Sequence, residues 1–111
     1  MVNIQAVLPA TTLAKNCYNT MFSGCNNITI APELPAEILT SYCYRNMFFS
    51  CYKLQYIKML ATDITADGCL IKWVYGVGNT GTRIFVKNAL MTTLTIDSEN
   101  GIPRGWTVQD A

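Results

Sequence analysis

A chain of 111 residues has room for one domain, and with 50% apolar and 14% charged residues it is globular rather than disordered. Eight basic side chains against seven acidic ones set up no field for nucleic acid or an anionic membrane surface, so neither is expected as a partner. The lack of histidine removes the commonest general base and metal ligand, and no run approaches the roughly 18 apolar residues that a membrane span needs.

Met1-Val2-Asn3-Ile4 carries no basic stretch leading into an apolar one, so no signal peptide is read there. Residues 1–7 read instead as the strand of a coil caught partway through. From Leu8 the chain repeats itself. Leu8-Pro9-Ala10 returns as Leu34-Pro35-Ala36, Cys17-Tyr18 as Cys43-Tyr44, Met21-Phe22 as Met47-Phe48, and Cys25 as Cys51, always 26 residues on. Such self-similarity marks a repeat architecture. The apolar positions Leu13, Ala14, Cys17, Met21, Phe22 and Cys25 predict a short helix with one buried face, ending near Gly24. Leu39, Cys43, Met47, Phe48 and Cys51 predict a second. Ile28-Thr29-Ile30 and Leu54 to Ile57 follow them as short strands.

The full copies are thus 8–33 and 34–59. A degenerate third, 60–81, keeps Leu60-Ala61 and Cys69 but has Trp73 at the Met position and Val77 at the second Cys position. After the loop Gly78-Asn79-Thr80-Gly81 a strand is expected from Thr82 to Lys87, beside Leu54 to Ile57. A turn follows at Asn100-Gly101, and a last strand at Trp106-Thr107-Val108. Residues 82–111 abandon the repeat yet stay apolar, so they read as a cap with the Trp106 ring over the end of the core.

The element Cys-Tyr-x-x-Met-Phe-x-x-Cys at 17–25 and 43–51, with Leu-Pro-Ala ahead of it and Gly-Trp-Thr-Val-Gln-Asp-Ala at the end, resembles the BspA-type leucine-rich-repeat surface proteins of gut and oral bacteria. A unit of this size cannot bury its apolar face alone and must stack on its neighbours. The expected fold is α/β: a leucine-rich-repeat-like solenoid of about 26-residue strand–loop–short-helix coils, with a parallel sheet and an irregular C-terminal cap, one domain over 1–111. The resemblance implies surface display, adhesion or contact between host and microbe. It supplies no catalytic motif.

The five cysteines are spaced by eight and eighteen residues rather than by the two to four that zinc sites prefer, so no metal site is read from them. No base stands ready to activate a nucleophilic thiol. On a helix Cys17 and Cys25 lie too far apart for a disulfide, and stacked copies point Cys17 and Cys43 inward in parallel rather than at each other. The thiols therefore read as small buried hydrophobes, all reduced. The seven carboxylates recur in no pattern and most sit in loops or beside turn residues, with Asp63 or Thr65 a helix cap. Asn27-Ile28-Thr29 as a glycosylation acceptor and Gly76-x-Gly78 as a phosphate loop are chance matches.

No catalytic, cofactor-binding or metal-ligating residue is expected, and no cofactor. The expected activity is non-catalytic recognition or adhesion, binding a protein or glycan at the cell surface or as a secreted module, from a longer or processed chain. Strand alternation with Ile28 and Ile30 inward leaves Asn3, Thr29, Gln55, Phe85 and Thr107 on the solvent face, Phe85 being the conspicuous one. Tyr42, Phe49, Tyr52 and Tyr75 break the repeat and are expected at the surface. The uncapped strand edge at Val2 to Ile4 predicts self-association. The alternative reading is a purely structural spacer or terminal cap of a larger exported protein or virion fibre.

Overall fold

A computed structural model describes residues 12–111. The strand expected at Val2 to Ile4 and the first Leu-Pro-Ala lie outside the described residues. Three strands, β1 (Tyr56–Met59), β2 (Ile84–Lys87) and β3 (Thr107–Asp110), form one parallel sheet in chain order. Tyr56 pairs with Ile84 and Ile84 with Thr107, while Ile57 pairs with Phe85 and Phe85 with Val108. The expected neighbours are therefore correct, but β1 begins two residues later than Leu54. A single bridge, Ile30 to Tyr56, extends the pairing to the first copy.

This register sets which residues face inward. Ala31, Ile57 and Phe85 form the buried column, each 0% exposed, and Ile30, Tyr56 and Ile84 form the outer one. The expectation of Ile30 inward is thus displaced by one residue, and a one-residue slip exchanges the two faces of a strand.

The short helices are absent: no helix occurs among the described residues. In their place each copy runs through overlapping four-residue turns. Cys17, Asn19, Met21, Ser23 and Cys25 donate their N–H groups three residues back, to Ala14, Asn16, Tyr18, Thr20 and Phe22. The N–H groups between them point out of the copy. Asn16, Tyr18, Thr20, Phe22 and Gly24 donate to the carbonyls of Ser41, Cys43, Arg45, Met47 and Phe49, at 2.7–3.1 Å. The second run repeats this onto the third, from Tyr42 to Asp67 through Ser50 to Tyr75. Every fourth residue takes a positive φ: Asn16, Thr20 and Gly24, then Tyr42, Asn46 and Ser50, then Gly68, Lys72 and Gly76.

The reason lies in the period. Cys17, Met21 and Cys25 are spaced by four, as are Tyr18 and Phe22. An α-helix turns every 3.6 residues, so a strict period of four drifts by about 40° per step and would carry Cys25 off the buried face. The turn run has a true period of four, with two residues inward and two outward. Cys43, Tyr44, Met47, Phe48 and Cys51 are accordingly all 0% exposed, while Arg45 between them is exposed. Positive φ at a non-glycine residue costs about 1–3 kcal/mol. Alternate N–H groups shared between neighbouring copies are what holds the backbone there.

The core lies between the sheet and the turn runs. Tyr18, Tyr44 and Trp73 stack in one column; in another Phe22 stacks on Phe48, against which Trp73 lies tilted by 50°, all with ring centroids 5.8–6.2 Å apart. The third copy ends against the tail. Trp106 is buried and its indole N–H donates to the Gly78 carbonyl at 3.0 Å. Asn100 and Glu99 lie over the third run, where the Asn100 side-chain oxygen accepts from Lys72 N–H and the Glu99 carbonyl from Val74 N–H.

Candidate functional site

The outward pairs of the turn runs bring together side chains that are scattered in sequence. Phe49 and Tyr75 occupy the same position in successive copies, and their rings stack with centroids 5.1 Å apart at 15°. One step along the third run, the Lys72 ammonium sits 5.9 Å from the Tyr75 ring centroid. At the far end of the second run the Arg45 guanidinium lies 5.7 Å from the Tyr42 ring centroid. Tyr42 fits because its neighbour in the next copy is Gly68, where a side-chain carbon would collide with the Tyr42 ring. Ile71 and Tyr75 are 40% and 44% exposed, which is high for large apolar side chains flanked by ordered neighbours. Cations at this distance are attracted by the ring quadrupole, by about 0.5–1 kcal/mol at an exposed site, which biases both charges toward the rings.

This face is absent from the strand-side expectation. Tyr42, Phe49 and Tyr75 are recognisable in the sequence as departures from the repeat, but a helical period cannot show that they share one surface with Arg45 and Lys72. The signal that finds them is the period of four, which places 45, 49, 71, 72 and 75 all on outward positions.

The residues expected on the strand face divide. Thr29 and Gln55 line a shallow polar hollow of about 250 Å³ with Tyr52, Lys53, Gly78 and Thr80, and Gln55 Nε2 donates to the Thr80 carbonyl at 3.0 Å. Thr107 is exposed on β3. Phe85 is not on the surface: it is 0% exposed, edge-on to Trp73 at 6.0 Å, because its register with Ile57 places it in the inward column. Asn3 lies outside the described residues. A wider, more apolar hollow of about 500 Å³ opens elsewhere between Leu13, Pro35, Ile38 and Thr40.

Several ionisable groups are occupied structurally. Glu33 pairs with Lys58 and Asp110 with Lys87, each at 2.9 Å between neighbouring copies or strands. The Thr65 hydroxyl and N–H bond to Asp63 and hold its carboxyl below the usual range, as a turn-capping carboxylate. Asp97 accepts the N–H groups of Glu99 and Asn100 in the tail. All five thiols are free. Burial pushes Cys51 and Cys69 up to about 11 and raises Cys43 as well, away from the thiolate that nucleophilic chemistry needs. Among the described residues no group of three or more carboxylates and thiols is placed to hold a metal ion, and no helix is long and apolar enough to cross a membrane.

No protein-family model matches the chain, and neither a curated protein nor a solved structure matches it.

Proposed function

We propose that the protein is a non-catalytic recognition module, a leucine-rich-repeat-like solenoid displayed at a cell surface or secreted, that binds a protein or glycan through the outward face of its turn runs. The observation that carries this reading is the ordered patch of Phe49, Tyr75, Ile71 and Lys72, extended by Tyr42 and Arg45. Aromatic side chains and arginine are the residues that dominate binding energy at interfaces, since they bring large contact area at little entropic cost. Stacked aromatic rings with adjacent cations also suit the apolar faces and hydroxyl edges of sugars. The resemblance of Cys-Tyr-x-x-Met-Phe-x-x-Cys to the BspA-type surface proteins is the support for surface display. The raised thiols and the ion-paired Glu33 and Asp110 support a non-catalytic reading.

A structural spacer is the competing reading, and the polar, exposed face of β3 is what favours it. A screen of the full chain against glycan and protein arrays separates the two. Recognition predicts a ligand whose binding falls at least tenfold in Tyr75→Ser and Lys72→Glu while thermal stability is kept. A ligand retained by both variants, or no ligand on either array, sinks the assignment of this face.

A further inference from the structure

The row of turn runs has two unlike ends. At the end facing the tail, the outward N–H groups of Lys72 and Val74 already have acceptors, in the Asn100 side chain and the Glu99 carbonyl. At the opposite end, the first run presents only acceptors. Its outward N–H groups are spent on the second run, and among the described residues the alternate carbonyls of Lys15, Cys17, Asn19, Met21 and Ser23 accept no hydrogen bond. These are the positions that, in the second run, receive the N–H groups of the first.

A second observation at the same end is independent of hydrogen bonding. The first run carries the same inward side chains as the second, Cys-Tyr, Met-Phe and Cys. In the second run Cys43, Tyr44, Met47 and Phe48 are all 0% exposed; in the first, Cys17 is exposed, Met21 is 50% exposed, and Tyr18 and Phe22 are half-buried. The third run, which meets the tail, has changed to Cys69-Leu70 and Trp73-Val74. The first run thus has the composition of a run covered on both sides, not of a terminal one.

We infer that this edge is a docking site for a further polypeptide run in the same four-residue turn conformation, bound parallel and donating every second N–H to the free carbonyls. The polarity selects the occupant. Two copies of this chain meeting edge to edge would set carbonyls against carbonyls, and at the opposite end of a second copy the tail lies over the run and takes two of its outward donors, Lys72 and Val74 N–H, with Asn100 and Glu99. Only a segment whose alternate N–H groups are unspent fits, with an apolar pair every four residues to cover Tyr18 and Phe22. This site is distinct from the outward aromatic face and stands or falls separately from it.

The test uses the full chain and a synthetic peptide with the sequence of residues 34–59, whose N–H groups at Tyr44, Asn46 and Phe48 are the donors in question. Cys17 is the reporter, because its thiol is exposed until the edge is covered. Adding the peptide is expected to slow Cys17 alkylation at least tenfold, and a peptide N-methylated at those three residues is expected to leave it unchanged. A second protein, with residues 34–59 duplicated in tandem ahead of residue 8, is expected to protect Cys17 without added peptide. Unaltered Cys17 reactivity in the tandem protein, or equal protection by both peptides, overturns the inference. So does concentration-dependent protection of the chain alone together with a dimer in sedimentation, which would give the edge to a second copy.

Discussion

Trp73 and Trp106 tie the third copy to the tail by reciprocal bonds: the Trp73 indole donates to the Gly101 carbonyl and the Trp106 indole to the Gly78 carbonyl, each at 3.0 Å and each spanning 28 residues. Trp73 is also where the two aromatic columns converge, so the pair joins the core to the segment that closes it.

Trp106→Ala should therefore cost about 3–5 kcal/mol, the usual range for emptying a buried tryptophan site. Against a total stability of about 5–15 kcal/mol for a domain of this size, the variant is expected to be largely unfolded or aggregated. Deletion from Gly101 onward removes both carbonyl and indole partners and should do the same. Thermal unfolding followed by circular dichroism checks this. A midpoint within a few degrees of the parent would show that the core closes without the tail.

The Tyr44 hydroxyl is buried without a hydrogen-bond partner, and burial pushes its pKa well above the usual value. A buried polar group left unpaired costs about 1–3 kcal/mol. Tyr44→Phe keeps the ring between Tyr18 and Trp73 and removes the orphan, so it should raise stability by about that amount. Chemical denaturation should show a higher midpoint with an unchanged slope. A loss of stability would mean that a buried water satisfies the hydroxyl.

Thr20 is β-branched yet has φ 64°, a conformation such residues rarely adopt. The left-handed region costs an L-residue about 1–2 kcal/mol, and glycine's extra chain entropy costs about 0.5–1 kcal/mol. Thr20→Gly is expected to be neutral to stabilising, by up to about 1 kcal/mol, with its melting midpoint moving up by a few degrees. Gly78→Ala should do the reverse, because a methyl group there meets the Leu54 carbonyl oxygen. Calorimetry of the two variants should place them on opposite sides of the parent.

Alkaline pH should unfold the protein through its buried thiols. Cys51 and Cys69 are raised from 9.0 to about 11 by burial, so between those values the folded chain holds protons that the unfolded chain releases. Stability is then complete below pH 9 and falls above it, by about 1.4 kcal/mol per pH unit for each such thiol. The unfolding midpoint should drop steadily between pH 9 and 11, and Cys51→Ala should flatten the decline. A midpoint independent of pH in this window would show that the thiols are solvated.

What the sequence revealed and what it hid follow from the two periods involved. A repeat of 26 residues is visible because identical side chains recur, and the parallel sheet expected from it is present, although β2 and β3 both belong to residues 82–111, which leave the repeat. The turn runs were hidden because positions spaced by four satisfy a helical pattern over two turns and depart from it only over longer stretches. Thr20, Tyr42 and Lys72 gave no warning either, since none is a residue that announces positive φ as glycine or asparagine does. Phe85 was misplaced because the strand register depends on where β2 starts, and no side chain between Thr82 and Ile84 marks that point. The tail was legible through Trp106, whose bulk needs a core to enter.

The alternate peptide units of the turn runs have a collective electrostatic effect. Each unit joining residues 15–16, 17–18, 19–20, 21–22 and 23–24 directs its carbonyl away from the second run and its N–H toward it, and the second run is oriented alike. A peptide unit carries a dipole of about 3.5 D, so these add into a macrodipole running across the copies rather than along the chain. Its negative pole is the open carbonyl edge, where Lys15 is exposed, and its positive pole lies under the tail, where Asp97 and Glu99 are found. The charges match the poles. An α-helix acquires such a field by lengthening; here it deepens with every copy laid alongside, so each added run meets a stronger acceptor row than the one before it.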